Sequence, residues 1–266
     1  MVTSLRCNSL SFEYADGLRA VEGVSLEVSG GEFAALIGPN GSGKSTLLRC
    51  IAGLARPQQG DVQVDGADVA RLKPVERARL IAVVPQFLPS LFDVRVADFV
   101  LGGRYALIER WKGPTHVDRD AVHAALQACD AAELGGRSMA ELSGGQRQRV
   151  VIARAVAQTA SIVLVDEPTT SLDPEHQLQV FELLACLARE GRAVLVVTHE
   201  LNLAGQFARS LSVMHGGRIV ARGTPEAILR PDVLNPVYGE HLYFGRTTID
   251  ARPFVLPWAR ATPRRD

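Results

Sequence analysis

The sequence predicts an α/β fold: a parallel-sheet core, an antiparallel β subdomain beside it and an inserted α-helical subdomain. Three observations carry that expectation. Phe33-Ala34-Ala35-Leu36-Ile37, Ile162-Val163-Leu164-Val165 and Ala193-Val194-Leu195-Val196-Val197 are continuous apolar runs with no polar alternation, the pattern of strands buried on both faces of a parallel sheet. Stretches of helical spacing separate them, as crossover connections require. The first run leads into Gly38-Pro39-Asn40-Gly41-Ser42-Gly43-Lys44-Ser45-Thr46, which fits G-x-x-x-x-G-K-[ST], and helical spacing follows over residues 45–52.

Taken in order, residues 5–14 alternate in part, contain Leu10, Phe12 and Tyr14, and stop at the turn signal Ala15-Asp16-Gly17. Residues 24–28 form a second strand, closed by Ser29-Gly30-Gly31. Two strands ahead of the glycine loop suggest the antiparallel element. After the loop helix, Arg56-Pro57-Gln58-Gln59-Gly60 is a turn and residues 61–64 a short strand. Residues 74–80 begin a helix with proline in its first turn, and the apolar run 81–84 is stopped by Pro85, with Gln86 next. From Phe87 to about Gln158 the pattern is helical, broken by loops such as Lys112-Gly113-Pro114. Within it, residues 118–129 place Val122, Leu126 and Cys129 on one face, with Asp118 as a cap. Strands then return, so this stretch is an insertion within one domain. Leu142-Ser143-Gly144-Gly145-Gln146 precedes the helical pattern over 147–158, and residues 174–190 are amphipathic through Leu178, Phe181, Leu184 and Ala188. Residues 211–215 and 218–222 flank Gly216-Gly217 as a closing hairpin. A Pro/Arg-rich tail runs over 246–266, in which 253–257 adds at most an edge segment.

Composition narrows the function classes. With 29 Lys+Arg against 29 Asp+Glu there is no global field to hold nucleic acid or an anionic membrane. Cys7, Cys50, Cys129 and Cys186 match no C-x-x-C or zinc spacing, and three sit among apolar neighbours, so buried free thiols in a reducing cytosol are expected. No signal peptide is read at the N-terminus, and no apolar run is long enough to span a bilayer. A membrane role would therefore be peripheral, through a partner.

The chemistry gathers at the carboxyl ends of the apolar runs, where open α/β sheets bind ligands. Glycines let loop N–H groups turn toward phosphates, and the helix N-terminus adds its dipole. Lys44 should reach the β- and γ-phosphates of ATP or GTP, and Ser45 should ligate Mg²⁺. Asp166 ends the second run as a Mg²⁺ holder, and Glu167 follows as a general base for the attacking water. His199 ends the third and can hydrogen-bond the γ-phosphate; Gln86 can orient water or complete the Mg²⁺ shell. Alone, a His or Gln there is more often structural; convergence on one phosphate site favours function. Tyr14 reads either as a half-buried strand aromatic or as a platform for a nucleotide base. Ser143-Gly144-Gly145 reads as a bare N-cap or as a second anion site, with a capping serine and accessible glycine amides. Two such half-sites can complete each other if copies pair head to tail.

Taken together, these motifs resemble the ATP-binding-cassette ATPases, the nucleotide-binding subunits of membrane transporters, over roughly residues 5–245. They are the Walker A loop (38–46), the Q-loop Gln86, the signature Leu142-Ser143-Gly144-Gly145-Gln146, Walker B (162–167), the D-loop Ser171-Leu172-Asp173 and the H-loop His199. The resemblance implies a P-loop core over 3–245 with the helical insert at about 87–158, and a head-to-tail homodimer. Two ATPs, each with Mg²⁺, would lie between the Walker A loop of one copy and the signature of the other. It also implies adenine stacking on Tyr14 and a nucleotide-facing role for Gln146 and Asp173. Val96-Ala97-Asp98-Phe99-Val100-Leu101-Gly102-Gly103-Arg104-Tyr105, His176-Gln177-Leu178 and Val237-Tyr238-Gly239 are similar to importers of iron-siderophores, haem and cobalamin. Such a subunit would work on the cytoplasmic face of the cell membrane with a permease and, indirectly, a substrate-binding protein. Thr170-Ser171, Glu200 and Gln146 depart from common importer residues. A soluble iron–sulphur-assembly ATPase and an exporter subunit share the catalytic residues.

Overall fold

The computed structural model describes residues 4–86, 94–109, 111–170 and 172–258. The expected start of the helical insert at Phe87, the D-loop Ser171 and the end of the tail, 259–266, lie outside these described residues.

The chain opens with β1 (Ser4–Glu13) and β2 (Arg19–Ser29), paired antiparallel. β2 is longer than its apolar signal: its first residues hold register with β1, including Phe12↔Val21 and Glu13↔Arg19, across a series of bulges. β3 (Phe33–Ile37) runs into the glycine loop and α1 (Lys44–Ile51). β4 (Gln59–Val64) and β5 (Ala67–Asp68) return to the first pair and complete a four-stranded sheet ordered β2-β1-β4-β5. α2 (Pro74–Leu80) feeds β6 (Ile81–Val84), after which come the helices α3 (Val96–Leu101), α4 (His116–Ala128) and α5 (Gly144–Ala157). The core resumes with β7 (Ile162–Asp166), α6 (Pro174–Arg189), β8 (Ala193–Val197), α7 (Leu201–Phe207), β9 (Ser210–His215) and β10 (Arg218–Gly223). The six-stranded sheet is ordered β10-β9-β3-β8-β7-β6, with β10 alone antiparallel to its neighbour.

The unbroken apolar runs have a direct cause. Ala35 and Ile37 of β3, Val163 and Val165 of β7, and Val194 and Val196 of β8 pack into one core with α5 and α6. The intervening Ala34, Leu36, Ile162, Leu164, Ala193, Leu195 and Val197 pack into a second core with β1, β2 and α1. Each face of the central sheet is covered, one by helices and the other by the antiparallel sheet, so neither has polar positions to spare.

In α4, Thr115 is the N-cap, and Asp118, expected there, sits at N3 of a capping box. Its carboxylate accepts from Thr115 N (2.9 Å) and Thr115 Oγ1 (2.8 Å) and pairs with the buried Arg104 at 3.1 Å. These contacts, the Thr115 bonds foremost, hold the Asp118 carboxyl below its usual range. Cys7, Cys50 and Cys129 are buried free thiols, and burial pushes them up to about 12, 11 and 12 respectively; Cys186 is half-buried. α8 (Pro225–Ile228), α9 (Pro231–Tyr238) and a hairpin of β11 (Leu242–Arg246) with β12 (Pro253–Pro257) end the described chain. The boundary expected at 245/246 falls inside this hairpin. Its Val255 belongs to the core, and Asn202 of α7 donates to Val255 O (3.0 Å) and accepts from Val255 N (2.8 Å).

Phe181 is fully buried between Phe33 and Phe207, with ring centroids 5.9 and 5.8 Å away. Phe181→Ala should destabilise the fold by about 3–5 kcal/mol, read as a lower urea midpoint.

Candidate functional site: a phosphate-loop cleft

The glycine loop is held where no side chain fits. A Cβ on Gly38 would stand 2.2 Å from Met214 O, and one on Gly43, at φ +101°, only 2.0 Å from Ala20 O. Both positions therefore demand glycine for close backbone approach. The loop turns Lys44 inward: the residue is 5% exposed, and its Nζ donates to Gly38 O (2.8 Å) and Pro39 O (2.9 Å). Burial lowers the Lys44 pKa, opposed by the nearby Glu167 and Asp166. The buried Ser42 hydroxyl has no hydrogen-bond partner among the described residues, so the loop holds an unused donor for an anion.

Two acidic residues meet the loop. Ser45 Oγ donates to Asp166 Oδ1 at 3.0 Å. Burial raises the Asp166 pKa, and Glu167 raises it further, against the lowering effects of Ser45 and Lys44. Glu167 follows β7 with φ +45° and donates its N–H to Val197 O at 2.8 Å. The next residue, Pro168, disfavours the right-handed helical region for Glu167. Holding a glutamate there costs on the order of 1–3 kcal/mol, a cost found where side-chain aim matters. That aim brings Gln86 Nε2 to Glu167 Oε2 as a donor at 2.6 Å, with His199 Nδ1 3.7 Å from the same oxygen. Glu200 holds the opposite side of the imidazole, 3.1 Å from Nε2.

Tyr14, just beyond β1, donates to or accepts from Thr46 Oγ1 at 2.9 Å, and its ring meets Phe12 edge-on at 5.0 Å. It is 36% exposed and walls a cleft of about 420 Å³ together with Leu18, Asn40, Lys44, Gln86 and Glu167. Gly41, Gly43, Ser45 and Thr46 line the same cleft. Strands from both sheets and the loop thus gather nine of the expected residues into one concavity; Gly38, Pro39, Ser42, Asp166 and His199 do not line it, though Asp166 touches its Ser45 and His199 stands beside its Glu167.

Ser143, Gly144, Gly145, Gln146 and Asp173 do not line it. Ser143 caps α5 in a reciprocal box: its Oγ accepts from Gln146 N (3.3 Å) while Gln146 Oε1 accepts from Ser143 N (3.1 Å). Asp173 caps α6, accepting from His176 N at 3.0 Å. The hydrogen bonds from His176, backbone first and side chain second, hold the Asp173 carboxyl below its usual range. Two contributors escaped the sequence reading. Glu200 stands out there only as a departure, not as the group that orients His199. Leu18 is an isolated apolar residue in a turn, which no periodicity marks.

The donor set suits a nucleoside triphosphate with a divalent cation. The loop offers backbone N–H groups, the unpartnered Ser42 hydroxyl and Lys44; Ser45, Asp166 and Gln86 offer oxygen ligands. Among the described residues no group of three or more His, Cys, Asp or Glu side chains forms a self-sufficient metal site. A cation here would therefore share its shell with phosphate oxygens or water.

Residues 21–170 match the ABC transporter family. The chain is similar to the ferric enterobactin transport ATP-binding protein FepC of Escherichia coli (strain K12), 38% identical over 98% of this chain and 97% of that protein. It is also similar to the hemin import ATP-binding protein HmuV of Nocardia farcinica (strain IFM 10152), 40% identical over 96% of this chain and 89% of that protein. Among solved structures, a transporter assigned to the metal-chelate ABC type, in an inward-facing conformation, superposes with a TM-score of 0.84. It is 30% identical, covering 97% of this chain and 98% of that one.

The raised Asp166 pKa has a measurable consequence. A carboxyl whose folded pKa lies above its unfolded value favours folding when protonated and opposes it as pH rises through the folded pKa. Asp166→Asn removes that opposition and should raise the melting temperature at pH 8. The gain should shrink as pH falls toward about 4, near the unfolded carboxylate value.

Proposed function

The chain belongs to the ABC transporter family, and on that premise we propose that it is the ATP-hydrolysing subunit of an importer. It powers uptake of a metal chelate (an iron-siderophore, haem or cobalamin) through a separate membrane permease. The observation that carries the reading is the convergence of Lys44, Ser45–Asp166 and Gln86–Glu167–His199 on one glycine loop. The names and the metal-chelate type of the similar proteins support the cargo class.

ATP enters the cleft with its base against Tyr14 and its phosphates in the loop of residues 38–46. Lys44 exchanges the carbonyls of Gly38 and Pro39 for the β- and γ-phosphates. Ser45, Asp166 and Gln86 would hold Mg²⁺, which when bound neutralises charge on the phosphates. Glu167 takes the proton of the attacking water as general base, and Gln86, already hydrogen-bonded to it, orients that water. His199, between Glu167 and Glu200, is the hydrogen-bond partner of the γ-phosphate just beyond the end of β8. Glu167 is mostly buried, with a side chain 12% exposed, which keeps its carboxylate aimed at one position.

Ser143, Gly144, Gly145, Gln146 and Asp173 complete the site from a second copy, arranged head to tail. The exposed Gly144 and half-buried Gly145 at the capped start of α5 present N–H groups to an anion. Closure of the two copies on ATP moves the α3–α5 helices, which transmit the motion to the permease, and hydrolysis reopens them. Among the described residues no helix is long and apolar enough to cross a membrane. In this reading the subunit works as a peripheral protein on the cytoplasmic face, and a substrate-binding protein supplies the cargo to the permease; the transport names of the similar proteins support it.

Glu167→Gln should lower kcat by about 10²–10⁴-fold while keeping ATP bound in a closed dimer, measured by phosphate release and by mass in solution. Wild-type turnover in that variant would remove the general-base role. Lys44→Ala should weaken ATP binding itself. Specific ATPase activity of the unaltered chain should rise with protein concentration, and a flat dependence would count against the shared site.

A further inference from the structure

His176 is used by none of the steps above, yet it joins the two segments that would face a second copy. It lies in the first turn of α6, with its side chain 40% exposed. Its Nδ1 is 2.7 Å from both carboxylate oxygens of Asp173, and its backbone N–H donates to the same carboxylate. The ring lies over Gly145. A Cβ built on that glycine would stand 3.3 Å from Cδ2, 3.5 Å from Cγ and 3.7 Å from Nε2 of His176, whereas one on Gly144 meets nothing within 4 Å. The imidazole is thus held along one edge by Asp173 and fills the space beside Gly145, in the first turn of α5, that a side chain there would occupy. Its pairing with a carboxylate puts a proton on Nδ1 whether the ring is neutral or charged. The Ser143–Gln146 box fixes that turn within its own helix; the His176 ring ties it to α6. A Cβ at 145 would stand in close contact with the ring, tight only at Cδ2.

We propose that His176 is a positioning residue for the shared nucleotide site. Held by Asp173, its ring sets where the Gly144–Gly145 turn stands, so that the α5 amides meet the triphosphate on the second copy. The proposal rests on the shared-site reading above. Asp173 then acts on the nucleotide through His176, by fixing a backbone turn.

The test uses the full chain carrying Glu167→Gln and reads the ATP concentration that gives half-maximal dimer by light scattering. Binding of trinitrophenyl-ATP to the dilute monomer is read alongside. His176→Ala should raise the half-maximal ATP concentration about tenfold, within the coupling range of contacting residues, and leave trinitrophenyl-ATP affinity unchanged. His176→Phe, which keeps a ring but not the Nδ1 proton, should fall between parent and Ala. Asp173→Asn remains a competent helix cap, and combining it with His176→Ala should be no worse than His176→Ala alone. Penalties that multiply, an unchanged ATP dependence in His176→Ala, or a matching loss of trinitrophenyl-ATP binding would each overturn the proposal. A parent that forms no dimer in ATP would instead remove the shared site itself, so the two failures are distinguishable.

Discussion

Two backbone carbonyls, Ala20 O of β2 and Met214 O of β9, press on the glycine loop where side chains would otherwise stand. One belongs to the antiparallel sheet and the other to the parallel core, so the loop is the weld between them. Its neighbours reinforce the joint: Gly217 N–H donates to Ser42 O at 3.1 Å, and Glu22 N–H to Gly217 O at 2.8 Å. Arg218 adds a bidentate pair with Glu22 across the same seam. Both sheets fix the path of the loop before any anion arrives, which lowers the ordering cost of binding.

That rigidity would be expensive if the charges around the loop had no partners, since buried unpaired polar groups cost several kcal/mol. Each has a stand-in inside the chain. Lys44 rests on two carbonyls, Asp166 on the Ser45 hydroxyl, and Glu167 on the Gln86 amide. Binding a triphosphate and a cation would exchange these partners for stronger ones without first exposing a bare charge. The Ser42 hydroxyl is the exception, buried with nothing to bond, and it marks the place in the loop best suited to a phosphate oxygen. The residual cost surfaces in the Lys44 and Asp166 pKa values, displaced toward their neutral forms chiefly by burial.

Much of this was legible because the sheet writes its chemistry linearly. Lys44, Asp166, Glu167 and His199 each follow an apolar strand, so strand direction alone collects them at one edge. What was not legible depends on contacts between distant segments. The Tyr14–Thr46 bond links positions 32 apart, through the way β1 lies over α1. Asp118 looked like a helix cap, yet Thr115 caps α4, because a box needs its acid three residues inside. Of the β11–β12 hairpin only 253–257 was legible, as an edge segment; the burial of β11 alternates weakly, and Val255 is anchored by Asn202, a residue on another element. Asp173 showed itself as part of a motif, but its engagement with His176 emerges only once a helix turn brings positions three apart together.

In the proposed mechanism the cleft is half of a site, finished by the α5 start of another copy. That arrangement can be tested with cysteines in a Cys186→Ser background, the three other thiols being buried. One chain carries Asn40→Cys at the cleft and a second carries Ser143→Cys at the start of α5, and the two are mixed under mild oxidation. The head-to-tail arrangement gives a covalent dimer only in the mixture and only with ATP and Mg²⁺ present. Cross-links formed equally by either chain alone, or none in the mixture with ATP bound, would contradict it.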